Sequence, residues 1–270
     1  MKGTMRMVMQ IGIGLLSFGL LCCAGKERER ELVRTFDGKS TVTIQTIAGN
    51  CVVTRATGKA VEVHLTYAYR PAGAFEPVFS EEGDQLVIKE NMRRGSNFGH
   101  STWTLAVPAN TAVHFNSASG SFSLSGLESN VTVRTASGGI EVRDASGTFT
   151  LHTASGTVSA RGVELRGSSS FSSASGNTSV ALAKTAAFDL DVSSVTGDAR
   201  LNYNGSPFQG RYEFETMKSK GTIQSPVPFE REEELVRDGD TYLVKSFHKG
   251  GDVPRIRIHS ATSSVVLVER

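Results

Sequence analysis

Cysteine, tryptophan and long apolar runs are scarce in this chain. Three of its 270 residues are cysteine, one is tryptophan, and aromatics make up 7%. Cys22 and Cys23 are adjacent near the N-terminus, so Cys51 has no partner for an intramolecular disulfide. A disulfide framework and a thiolate metal site are thereby excluded. In alternation with Val53, Cys51 reads as a small buried hydrophobe. No stretch repeats apolar residues at a three-to-four spacing, so little helix is expected. An excess of one charge is also lacking. Lys2 and Arg6 are the only charged residues before Cys23, and the remainder carries 27 basic against 27 acidic side chains. No polybasic stripe is present, so a nucleic-acid partner is not expected.

The one pronounced apolar run, Ile11 to Leu21, is short for a bilayer-spanning helix and follows Lys2 and Arg6. That is the pattern of an export signal. It ends in Leu20-Leu21-Cys22-Cys23-Ala24-Gly25, which resembles a lipobox, where signal peptidase II cuts before a cysteine that becomes diacylated. Cys23 is the expected lipidation site, with Cys22 as the alternative. Buried methylenes contribute roughly 0.8 kcal/mol each, so several acyl chains hold a protein body on a membrane. Residue 24 is Ala and not Asp, which favours the outer membrane where there is one. Lys26 to Glu31 alternates in charge and reads as a solvated tether.

The main signal is a repeat. Ala118-Ser119-Gly120 recurs as Ala136-Ser137-Gly138, Ala154-Ser155-Gly156 and Ala174-Ser175-Gly176, and Val195-Thr196-Gly197 follows. The spacings are 18, 18, 20 and 21 residues. Ala145-Ser146-Gly147 falls half a repeat out of phase and suggests a second corner, and Ile47-Ala48-Gly49 reads as an earlier relative. Alternating apolar pairs follow each turn: Phe122/Leu124, Ile140/Val142, Val158/Ala160, Val180/Leu182 and Ala199/Leu201. A second set lies half a repeat on: Val131/Val133, Phe149/Leu151, Phe171, then Phe188/Leu190/Val192. Period-two alternation marks strands with one buried face. One such unit cannot bury that face alone, but stacked units can. The turn glycines, Gly120, Gly138, Gly156, Gly176 and Gly197, are expected to supply positive φ. Ser119, Ser137, Ser155, Ser175 and Thr196 are expected to form a hydroxyl ladder on neighbouring backbone.

The expected fold is all-β, a single-stranded parallel β-solenoid of about 18–21-residue coils with β caps at both ends. The expected divisions are a lipoprotein signal peptide over 1–22, a charged tether over 23–34 and an N-terminal β region over 35–116. The repeat solenoid follows over 117–204, then C-terminal strands and a cap over 205–270. Asn91 to Gly99 reads as a mobile loop, and Asp238-Gly239-Asp240 as the turn of a hairpin.

These turns, the Val107-Pro108 strand end before them and the later Gly250-Gly251 with Ile256-Arg257-Ile258 are similar to the bacterial "putative adhesin" domain-of-unknown-function family, the YvlB-like group. The resemblance spans roughly residues 40–270 and implies a β-solenoid on the cell envelope with no established activity. The family often has Asp after the Ser-Gly pair. Here Ser121, Gly139, Thr157 and Asn177 stand there, and only Asp198 matches.

Catalytic patterns are lacking. His64, His100, His114, His152, His248 and His259 show no metal-ligand spacing, and there is no Walker loop or Gly-x-Ser-x-Gly elbow. Polysaccharide-cleaving β-helices need converging carboxylates, and Glu128, Glu141, Asp144 and Glu164 form no recognisable pair. Rows of hydroxyls, Ser121/Ser123/Ser125, Thr148/Thr150, Thr157/Ser159 and Ser170/Ser172, read first as solvated strand surface. The expectation is a non-enzymatic, lipid-anchored envelope protein without cofactor or metal. Its partners are the membrane, through its acyl chains, and an envelope or extracellular polysaccharide or protein. The alternatives are a periplasmic envelope-stress or assembly factor acting through a protein partner, and a polysaccharide-active enzyme.

Overall fold

The computed structural model describes residues 29–71, 73–93 and 98–270, and among them there are strands and no helix. The expected lipidation cysteines, Cys22 and Cys23, lie outside the described residues. The N-terminal part holds β1 (Arg30–Phe36), β2 (Thr41–Thr46), β3 (Asn50–Arg55), β4 (Val61–Arg70), β5 (Phe75–Glu82), β6 (Gln85–Met92) and β7 (Phe98–Val107). The repeats begin with β8 (Ala112–Ser117), β9 (Phe122–Ser125), β10 (Val131–Thr135), β11 (Ile140–Arg143), the short β12 (Ser146–Gly147) and β13 (Phe149–Thr153). They continue with β14 (Val158–Leu165), β15 (Ser169–Ser173), β16 (Thr178–Leu182), β17 (Leu190–Ser194) and β18 (Ala199–Asn202). Last come β19 (Gly210–Met217), the short β20 (Ile223–Gln224), β21 (Arg231–Arg237), β22 (Asp240–Lys249), β23 (Arg255–Ser260) and β24 (Val265–Val268).

Each repeat contributes one strand to each of two large, mostly parallel sheets. The first runs β1-β4-β7-β3-β9-β11-β14-β16-β18-β24-β20, and the second β21-β22-β19-β23-β17-β15-β13-β10-β8-β2-β6-β5. Pairing is in register, so the alternating side chains line up strand over strand. One buried column in the second sheet runs from Ile44 through Phe115, Val133, Leu151, Phe171 and Val192 to Ile258. Its counterpart in the first sheet includes Val53, Leu124, Val142, Ala160, Val180 and Leu201. Both columns belong to one buried core cluster. The out-of-phase Ala145-Ser146-Gly147 does make a second corner: β12 pairs with β14 on a short third side.

Several expectations are corrected. The turn glycines do not have positive φ. A β-carbon on Gly138 would instead strike the carbonyl oxygen of Gly120, and one on Gly156 would strike that of Gly138. Glycine is required because successive corners stack backbone on backbone. The last residues of the expected tether, from Arg30 on, form β1 and pair antiparallel with β4. Asn91 and Met92 belong to β6, and Phe98 and Gly99 to β7, so the expected loop is shorter. Phe188 lies outside β17 and is exposed, unlike Leu190 and Val192.

The ends are also not threaded in chain order. β2 and β3 lie between the strands β6 and β7 on one side and β8 and β9 on the other. Likewise β23 and β24, the last in the chain, lie between β17 and β18 and the earlier β19 and β20. Antiparallel strands β1, β4, β5, β21 and β22 occupy outer positions. The hairpin expected at Asp238-Gly239 is present. Both residues have positive φ, 51° and 86°, as a two-residue turn matched to strand twist requires.

Candidate functional site

The corners carry a hydroxyl ladder, displaced from the expected one. Ser137, Ser155 and Ser175 are exposed, and Ser119 Oγ and Thr196 Oγ1 only bond corner carbonyls at 3.3 and 3.2 Å. The ladder is built by the residue before each corner tripeptide: Ser117, Thr135, Thr153, Ser173, Ser194 and, before Ala261-Thr262-Ser263, Ser260, one register column. Thr153 Oγ1 accepts the Gly156 N–H at 3.1 Å and donates to the Gly138 carbonyl at 2.8 Å. Ser173 and Ser194 repeat both bonds in the following turns. The hydroxyl before each Ala-Ser-Gly or Val-Thr-Gly was itself periodic in the sequence, and that was the signal that could have found it. Asp198, the lone match to the acidic position after Ser-Gly, accepts the Ser264 N–H at 3.0 Å and the Ser263 hydroxyl, tying its corner to the next one.

At the N-terminal end Thr46 continues the ladder, bonding the Gly49 carbonyl at 3.1 Å and Ser117 Oγ at 2.8 Å, and Glu90 meets the corner N–H groups. Its buried carboxylate accepts the Ile47 N–H at 2.7 Å, the Trp103 indole N–H at 2.8 Å and the Ser101 hydroxyl. Cys51 is buried nearby, and burial, helped by the Glu90 charge, pushes its thiol well above the ordinary range. It is an inert core residue.

The carboxylates considered for acid–base work are dispersed. Glu128 pairs with Arg55 at 2.9 Å, Glu141 with Arg143 at 2.5 Å and Glu164 with Lys184 at 2.8 Å, all at the surface. Asp144 sits at a turn with φ 49°. Among the described residues no three His, Cys, Asp or Glu side chains are grouped to hold a metal. The hydroxyl rows fall on two different sheets, Ser123 and Ser159 on the first and Thr150 and Ser170 on the second, and so make no single array.

The structure does bring together one continuous polar column, on the outer face of the second sheet. Gln45, Asn116, Arg134, His152, Ser172 and Ser193 are register neighbours, and the column continues to His259 and Glu215. At about 4.8 Å per strand, these residues span about 34 Å. Two adjoining shallow depressions, about 570 and 340 Å³, lie over this floor and share His152. The corner residues Ala118, Ala136, Ala154 and Ala174 line one side. At the far end the β21–β22 hairpin adds Arg237, Asp238 and Tyr242. Arg237 bonds Glu215 at 2.7 Å and lies 5.6 Å from the Tyr242 ring. His152 Nδ1 is 2.9 Å from Ser172 Oγ. The floor offers amide, imidazole, hydroxyl and guanidinium groups.

Three solved structures align with most of the chain at low identity and low TM-score. One is described as a "putative cell adhesion protein" from Clostridium sporogenes, 9% identical over 90% of this chain and 100% of that one, with a TM-score of 0.34. Another is a "putative lipid binding protein" from Parabacteroides distasonis, 12% identical over 88% and 96%, with a TM-score of 0.43. A third is a "putative adhesin" from Bacteroides fragilis, 8% identical over 88% and 97%, with a TM-score of 0.42. No curated protein matches the chain significantly. The family model described as Toastrack DUF4097 matches residues 39–227, well over half of the sequence and all of its Ala-Ser-Gly turns, and the chain belongs to that family.

Proposed function

We propose that the chain is a non-catalytic binding module of the cell envelope, a β-solenoid that holds an extended, hydroxyl-rich polymer along the groove of its second sheet. The observation that carries this reading is the unbroken polar column from Gln45 to Glu215. A floor that repeats at every strand suits a ligand that repeats along its length. The column lies on a sheet face with its backbone already paired, so a peptide could not add to it as a strand. Polar donors and acceptors beside the Tyr242 ring suit a polysaccharide. The mature protein is tethered through acyl chains on Cys23, with Cys22 as the alternative, and faces away from the cytoplasm, by preference on the outer membrane.

The test is retention on immobilised envelope polysaccharides. The wild-type protein is expected to bind. An Arg134→Ala/His152→Ala variant is expected to lose at least tenfold in affinity, while Glu141→Ala on the other sheet keeps it. Failure of the wild-type protein to bind any of the glycans, or equal binding by the double variant, would remove the groove as the site. New reducing ends in the glycan would make the protein an enzyme instead. Protease shaving of intact cells tells a surface-facing body from one protected in the periplasm.

A further inference from the structure

Beside the groove, at the C-terminal end of the same sheet face, three arginines converge. Arg211 on β19 is the register partner of Arg255 on β23, and Glu213 is the partner of Arg257. With Ile256 they line a depression of about 240 Å³. In-register neighbours on one face stand about 5 Å apart, and like charges so placed destabilise a sheet. Only one of the three guanidinium groups is balanced: Arg257 Nε lies 3.5 Å from Glu213. Neither Arg211 nor Arg255 has an ion pair among the described residues.

Acids flank the cluster, but none makes an ion pair with Arg211 or Arg255 among the described residues. Asp189 accepts the Arg255 backbone N–H at 2.8 Å, Asp191, the register partner of Arg257, lies 3.8 Å from His259, and Glu230 and Asp252 pair with His248, the register partner of Arg211, at 2.8 and 3.3 Å. The backbone beneath is closely packed. Tyr212 and Ile256 are fully buried, and Gly210, at φ 103°, lets β19 lie directly on Pro254, whose carbonyl accepts the Arg211 N–H at 2.9 Å. A β-carbon on Gly210 would strike that carbonyl.

From this geometry we infer that Arg211, Arg255 and Arg257 form a binding site for a phosphate oxyanion, carried by a soluble or glycan-borne phosphate or by a lipid headgroup. Guanidinium groups bind such anions through paired, charge-assisted hydrogen bonds. The bound anion supplies the negative charge that the two unpaired arginines lack. The inference does not rest on the polymer reading, because none of its residues lines the groove.

The test is calorimetric titration of the purified chain with inorganic phosphate and pyrophosphate at low salt, together with flotation on phosphatidylglycerol and phosphatidylcholine vesicles. Saturable binding of an anion is expected. Arg211→Ala/Arg255→Ala is expected to weaken it at least tenfold with no loss of Tm, and Glu213→Gln to tighten it about threefold. Arg200→Ala, on the other sheet, serves as the control and leaves binding unchanged. Arginine-dependent flotation on the anionic vesicles alone assigns the site to a lipid headgroup. Binding of the free phosphates without arginine-dependent flotation assigns it to a soluble or glycan phosphate. No binding to any probe, or equal binding by the double variant, overturns the site. Loss of glycan retention in the groove variants leaves this outcome untouched.

Discussion

At the scale of single residues, the corner is where chemistry and packing meet. Gly138 is buried against the carbonyl of Gly120, so Gly138→Ala must force two repeats apart. Overpacking of this kind costs about 1–3 kcal/mol. Thr153→Val removes the acceptor for the Gly156 N–H and the donor to the Gly138 carbonyl at once. A buried polar group left without a partner costs about 1–3 kcal/mol. Both variants are expected to lose about 3 kcal/mol in denaturant melts. Ser137→Ala, at an exposed corner position, is expected to stay within about 0.5 kcal/mol. If Ser137→Ala proves as damaging as Thr153→Val, the ladder is wrongly assigned.

At the scale of elements, the outer strands meet the first and last described repeats through buried polar groups. Glu90 on β6 accepts the Ile47 and Ala48 N–H groups of the first described corner, whose counterparts in later corners bond backbone carbonyls of the turn before. At the other end Tyr212 on β19 meets Tyr203, just after β18, through hydroxyls 2.6 Å apart. Burial raises both phenols. Tyr212 is pushed from 10 up to about 12, and Tyr203, with Tyr212 beside it, is pushed higher still. A folded-state pKa above the unfolded one means that the folded state holds its proton more tightly. The pair's contribution is therefore complete below pH 10 and drains away as pH rises towards 12. Tm is expected to be steady from about pH 8 to 10 and to fall above it, and the fall should be smaller in Tyr203→Phe/Tyr212→Phe. An unchanged slope in that variant would clear the pair of any part in alkaline unfolding.

At the scale of the whole molecule, the order of threading decides how the stack comes apart. A stack wound in chain order frays from its ends, because each repeat touches only its neighbours. Here β23 and β24 are last in the chain yet lie inside their sheets, between β17 and β19 and between β18 and β20. Releasing them requires splitting both sheets. Amide exchange followed by mass spectrometry is expected to find β23 and β24 as protected as β13 and β14, with the edge strand β21 fast. Protection that decays steadily towards the C-terminus would contradict the interleaved order.

Alternation and repeat spacing determined the strands on their own: Ile140/Val142 and Val131/Val133 are buried because period two leaves them no other face. The Asp238-Gly239 turn was equally local, since two positive-φ positions suffice to define it. What only the tertiary structure decided is whatever depends on the turn above or below. The glycines serve close approach and not positive φ, and the ladder hydroxyl is Thr153 and not Ser155, because each answers to a carbonyl some fifteen or more residues away. The polar column from Gln45 to Glu215 and the facing of Arg211 on Arg255 belong to the same class. Gln45 and Asn116 become neighbours only when β2 and β8 pair, with five strands of chain between them. Local preference sets which residues turn and which extend, but contact between distant turns is chosen by burial of the shared core, and that choice built both surfaces.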